Sequence, residues 1–405
     1  MSASTENRRF HSLDQLRAIM MLLGLVIHSA VSFTAEPLGG AWPYQDENTS
    51  VFFDIVVFFI HVFRMPLFFM MAGFFSAYLY NRRGPGAMLR NRTIRVVAPF
   101  TIFLLLLFPA ISAGFTYSSN GGRNGGWEFA AGYLSQPSGW YSGLSTMHLW
   151  FLYYLIIFYA AILLIMPLVS RLARPWSERV VPKLGRLIHH PAGFALCTLA
   201  TFLSLLPMSY AGLDTEPKFL VQPKILVAYG IFIVFGWLLY LNRDQVDGFA
   251  RRAWLFMIAG IVTATLYLGY IIAVPRAEHS FGGRALAALA MWTLIYGFMG
   301  LFVRYYDRPS PVGRYLADAS YWLYLIHLPL AIWIPGLMNG WDASAFLKSG
   351  VTFSITACFT VVTYHYLVRS TAIGLLLNGK RYPRQLPRFD DEGRPIAPGI
   401  PTRLV

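Results

Sequence analysis

Long apolar runs separated by short polar intervals dominate the chain from end to end. A hydrocarbon core about 30 Å thick takes roughly 20 apolar residues in helical form. Ten segments meet that demand, at approximately 13–33, 51–80, 96–113, 148–168, 192–208, 223–241, 253–274, 284–303, 320–338 and 350–368. The pattern predicts an all-α, polytopic integral membrane protein of about ten transmembrane helices. The first run carries Asp14 and Arg17 and is followed by no small-residue cleavage site, so it reads as a retained helix and not a signal peptide. A membrane domain over 13–368 is expected, with a short N-terminal segment 1–12 before it and a tail 369–405 after it. The Pro-rich stretch 383–405, with Asp390, Asp391 and Glu392 in a row, reads as largely disordered.

Composition agrees: 56% of the residues are hydrophobic and only 13% charged, against about 25% charged in soluble domains. The net charge of +14 would suit a nucleic-acid surface, and its distribution argues otherwise. Of the 33 Lys and Arg, 25 fall in alternate intervals, which the positive-inside rule assigns to the cytoplasm together with both termini. Six, namely Arg123, Lys218, Lys224, Arg276, Arg284 and Lys348, fall in the others, and Arg17 and Arg64 lie within spans. The basic excess is a topology signal, so the lipid bilayer is the expected partner and nucleic acid is not. No P-loop or dinucleotide glycine fingerprint is present. The two cysteines, Cys197 and Cys358, both sit in apolar runs and build no disulfide framework. The interval 114–147, rich in Gly, Ser, Asn, Tyr and Trp, reads as a mobile outer loop, either sugar-binding or a plain connector.

Charges at bilayer depth cost several kcal/mol and are candidates for function. Arg17 and His28 are eleven positions apart, so in a helix they share one face and stand roughly 16 Å apart along it. In the second span, Asp54 has the depth of His28 and is expected to orient its imidazole, as an acid does in a catalytic triad. His61 and Arg64 lie deeper, as ligand contacts or as a packing network. Arg92 and Arg95, three apart at the inner mouth of the third span, can present two guanidinium groups to one phosphate-bearing ligand. His148 and Trp150 open the fourth span, and Tyr324 and His327 share a polar face of the ninth. No short-range ligand pair suggests a metal. The residues alone leave two readings open: an enzyme, or a proton-coupled transporter relaying through His28, Asp54, His61 and His327.

Arg17 and His28 after Leu13, Asp14, Gln15 and Leu16, with Arg92 and Arg95 before Pro99, resemble the signature of the acyltransferase-3 membrane family. The stretches Ile60–Met65, His148–Leu152 and Ala319–Pro329 are similar to its branch that succinylates osmoregulated periplasmic glucans. That resemblance covers about residues 10–380. It implies a multi-pass protein of the bacterial inner membrane that moves an acyl group, succinyl in that branch, from cytoplasmic acyl-CoA to a glycan hydroxyl in the periplasm. Acyl-CoA is then a donor substrate and no cofactor is permanently bound. His28 is then the candidate catalytic base or acyl-accepting residue, with Asp54, placed there by depth, and His148 as the other catalytic candidates. Arg17, Arg92 and Arg95 would hold the coenzyme A phosphates, and Arg64, His61, Trp150, Tyr324 and His327 the substrate.

Overall fold

The computed structural model describes residues 10–172, 174–385, 388–389 and 395–396. Thirteen α-helices carry nearly all of it: α1 His11–Ala30, α2 Val51–Arg92, α3 Ala98–Ser119, α4 Gly126–Leu134, α5 Trp150–Leu172, α6 Arg174–Leu187, α7 Pro191–Leu205, α8 Pro223–Leu241, α9 Ala253–Ala273, α10 Phe281–Tyr305, α11 Pro311–Leu337, α12 Ala345–Thr363 and α13 Ala372–Asn378. Arg388–Phe389 and Pro395–Ile396 form a two-residue antiparallel pair. Hydroxyl side chains begin several helices: Ser50, Ser280, Ser310, Ser344 and Thr371 each accept a main-chain N–H two or three residues on.

Among the described residues, eight helical stretches are long and apolar enough to cross a membrane, and a bent pair makes a ninth. One of the eight, Val51–Ser119, has 69 residues, far longer than one crossing requires. Gly84 breaks it with φ 82°, a left-handed conformation open to glycine, and Pro85 follows. The guanidinium of Arg92 donates to Ser76 Oγ at 3.3 Å, although sixteen residues of straight helix span about 24 Å. The chain therefore doubles back at Gly84 into two arms, which are the second and third expected spans. A five-residue π-helical turn, Thr93–Val97, continues into α3.

The expected span at 192–208 is a bent pair of helices and not one straight helix. Its helix, α7, has only 15 residues, about 22 Å, and bends by 91° against Val180–Leu187. His190, whose ring nitrogen accepts from Ala192 N–H, and Pro191 end one helix and start the next. Apolar side chains face outward where lipid would lie, among them Leu164, Leu172 and Ile272, while the interior is aromatic, as where Phe232 stacks on Trp292.

The segment 114–147 is folded, contrary to the mobile loop expected. After a turn through Gly121 and Gly122, α4 packs back along α3. Pro109 lacks the N–H that would bond Leu105 O in a helix, and the Tyr141 hydroxyl donates to that carbonyl at 2.9 Å. Residues 369–385, assigned to the tail, also pack on the bundle. Arg369 is fully buried, donates to the carbonyls of Pro383 and Gln385 and lies over the rings of Tyr315 and Tyr382. Tyr382 accepts from Arg314 at 2.6 Å. Burial, with Asp318 beside it, pushes this phenol up to about 12. Most of the tail beyond lies outside the described residues.

Candidate active site

Three imidazoles meet inside the bundle. The rings of His28 and His327 are 5.1 Å apart and those of His327 and His148 5.3 Å. Their orientation is set by main chain. Pro329, inside α11, leaves Leu325 O without its helical donor, and His148 Nε2 stands 3.0 Å from that oxygen. A carbonyl only accepts, so His148 carries its proton on Nε2 and turns a bare Nδ1 into the interior, where it has no partner. His327 Nδ1 lies 3.1 and 2.8 Å from Leu323 O and Tyr324 O, so its proton is on Nδ1 and Nε2 is left bare and unpartnered. His28 Nδ1 is likewise buried without a partner. Met147, just before His148, holds φ 47°, a left-handed strain that aims the histidine inward.

Arg64 faces this group from α2. A methyl group on Gly24 would sit 2.8 Å from Arg64 Nη1, so the guanidinium lies against the bare backbone of α1 one turn before His28. Its Nε and Nη1 are buried without a hydrogen-bond partner, which leaves a cation one turn from His28 with no carboxylate on those atoms.

Arg17, Arg92 and Arg95 also come together, lining a cavity of about 180 Å³ at one end of the bundle, called the basic end below. Arg92 lies over the Tyr159 ring, 4.5 Å from its centre, with Nε unpartnered. Arg17 pairs loosely with Asp14 at 3.7 Å. Arg95 donates twice to Leu377 O, at 3.2 and 3.1 Å, so α13 forms one wall and contributes Leu377 and Asn378 to the lining. The cavity reaches Met21 and Tyr321. His28 lies seven residues beyond Met21, about 10 Å further along α1, and Tyr324, stacked on Tyr321 at 6.5 Å, fills the level between.

Several expected residues are elsewhere. Asp54 does not orient His28: its oxygens accept from Ala35 N–H at 2.8 Å and Glu36 N–H at 3.1 Å. Depth alone suggested the pairing, and the main chain of the following loop takes the carboxylate instead. Tyr324 is in the cluster, but its hydroxyl donates to His148 O at 2.8 Å, so it positions that residue. Trp150 is a buried ring among Phe69, Tyr154 and Tyr229 and is not among the residues lining the basic cavity. His61 is exposed and stands outside the ring-to-ring cluster. Sequence reasoning missed Trp42, which stacks on His28 at 5.6 Å, as well as Leu377 and Asn378. Among the described residues no group of three or more His, Cys, Asp or Glu is placed to hold a metal ion.

The model of the acyltransferase-3 family, described as an acyltransferase domain, matches residues 10–368. The chain belongs to the acyltransferase-3 family. It is an acyltransferase, and its apolar helices make it a membrane one. The acyltransferase is 23% identical over 394 residues to glucans biosynthesis protein C of Salmonella paratyphi A, Salmonella agona and Salmonella dublin, covering 92% of this chain and 95% of each relative. No solved structure matches it.

Proposed function

We propose that this acyltransferase carries an acyl group from coenzyme A thioester, bound at the basic end from the cytoplasm, to a hydroxyl of a glucan or related glycan on the far side of a bacterial inner membrane. The acyl group is succinyl. One observation carries the reading: a cavity with three arginines and a cluster of three imidazoles lie in series along α1. The first suits the phosphates of the donor, the second a group that must take a proton near neutral pH. The names of the relatives support the glucan, and the unpaired Arg64 supports an acyl group with its own carboxylate.

In the reaction the acceptor hydroxyl adds to the thioester carbonyl, its proton passes to His28, and the C–S bond breaks with the proton returned to the thiol. His327 lies against His28 in ring contact, with no hydrogen bond between them, and its bare Nε2 and His28 Nδ1 both face the interior. Arg64 stabilises negative charge, on the oxyanion or on the distal carboxylate. The thioester arm reaches the cluster past Tyr324, since Met21, which lines the cavity, comes seven residues, about 10 Å of helix, before His28.

Purified protein given labelled succinyl-CoA and glucan tests this. His28→Ala should cut transfer on the order of a hundredfold or more. Arg92→Ala with Arg95→Ala should raise the donor KM on the order of tenfold and leave the acceptor KM unchanged. Equal losses for both substrates, or turnover that survives without His28, would defeat the reading. Envelope glycans from a deletion strain, weighed by mass spectrometry, should lack one succinyl increment; loss of an acetyl increment would overturn the succinyl assignment alone.

A further inference from the structure

The segment joining α1 to α2 lies across the other end of the bundle as an extended strap. From Ala41 to Glu47 its side chains alternate: Trp42, Tyr44 and Asp46 are buried, while Ala41, Pro43, Gln45 and Glu47 are exposed. Its inward residues hold it down. Asp46 Oδ1 meets Lys348 Nζ of α12 at 2.8 Å with both side chains 1% exposed, and also accepts from Asn48 N–H at 2.9 Å. Tyr44 donates towards Asp46 Oδ2 and Pro335 O; burial, and then Asp46, raise this phenol, so it stays a donor. Trp42 Nε1 donates to Ser32 Oγ at 2.9 Å, its edge meets Phe115, and its face lies on the His28 imidazole with the planes 25° apart.

A buried ion pair is an expensive way to hold a loop, because desolvation offsets most of its attraction, yet removing one partner strands a charge. Here it fastens the strap at a point 302 residues away in sequence, and Trp42, four residues before Asp46, covers the imidazole from the end of the bundle where α1 joins the strap. An acceptor arriving from that side meets Trp42 before it meets His28. Water arriving from that side meets it too.

We propose that Trp42 is a positioning residue that fixes the His28 ring and shields it from water, latched through Asp46 and Lys348, and that the acceptor gains access by lifting the strap. This rests on the functional reading above. With the shield loosened, water replaces the acceptor hydroxyl: its oxygen adds to the thioester carbonyl, the C–S bond breaks, and a free carboxylic acid and a free thiol leave. The shield therefore sets how the acyl group divides between glycan and water.

Two measurements on the full-length protein in detergent test it. Modification of His28 by diethyl pyrocarbonate, followed by mass spectrometry of its peptide, reads shielding without any substrate. Trp42→Ala and Lys348→Met should speed it on the order of tenfold, and Trp42→Phe should leave it near wild type. Thiol release from succinyl-CoA, compared with acyl appearing on glucan, reads the division. In Trp42→Ala the unmatched thiol should rise on the order of tenfold and the acceptor KM should change, with the donor KM constant. Should Trp42→Ala label no faster and divide the acyl group as wild type does, the inference is overturned, while turnover that still depends on His28 keeps the functional reading intact. Faster labelling in a protein that never cleaves the thioester would leave the shield standing and remove the reading instead.

Discussion

The proton positions in the imidazole cluster depend on a residue that never touches substrate. Pro329 withholds one N–H, Leu325 O stays free, and His148 is fixed with its bare nitrogen inward. Replacing Pro329 by Ala restores a donor for Leu325 O and sets it in competition with His148. A proline inside a helix costs about 3 kcal/mol relative to alanine, so Pro329→Ala should keep or raise the melting temperature while kcat falls on the order of tenfold or more. Activity and thermal unfolding measured on one preparation would check the opposed signs. Gly24→Ala acts differently: its methyl group would press on the Arg64 guanidinium at 2.8 Å, and kcat/KM for the donor should drop on the order of tenfold. The cations and histidines of this site are legible in the sequence because polarity inside an apolar run is conspicuous. Asp54 was misjudged because depth along a helix says nothing about what its rim meets, and Trp42 was hidden because a tryptophan between two spans looks like any interfacial ring.

At the level of elements, the site is assembled by pieces that interrupt regular helix. The reversal at Gly84, the π-turn at Thr93–Val97 and the packed segment α4 to His148 each bring a functional group to a place that an unbroken span would not reach. Such breaks were partly readable: Gly84 and Pro85 mark a turn, whereas the docking of Tyr141 on Leu105 O depends on two segments 36 residues apart. The wall formed by α13 was not readable, because seven residues are too few to register as a span and only the contacts of Arg95 and Arg369 reveal its place. Ending the chain at Thr371 should therefore weaken succinyl-CoA binding on the order of tenfold and leave the acceptor KM alone. Titration with a non-cleavable donor analogue measures this. A protein shortened at 385 serves as the control, since the contacts of Arg369 with Pro383 and Gln385 remain.

On the scale of the whole molecule, hydropathy gave the number and order of apolar segments but not the bend that divides the one at α7. Periodicity counts apolar positions and does not see a bend of 91°. The charge distribution predicts which end faces the cytoplasm. With Cys197 and Cys358 replaced by Ala, single cysteines in place of the exposed Arg83 and Arg123 separate the two ends. In intact cells stripped of outer membrane, an impermeant maleimide should label Arg123→Cys and spare Arg83→Cys until the cells are opened. The reverse pattern would invert the whole assignment of donor and acceptor sides. The wall that α13 lends to the basic cavity has a bearing on synthesis as well. Leu377 and Asn378 come after all the long apolar helices among the described residues, so a ribosome that has threaded that bundle into lipid has still not completed the wall of the basic cavity. The cavity closes only once translation has passed Asn378.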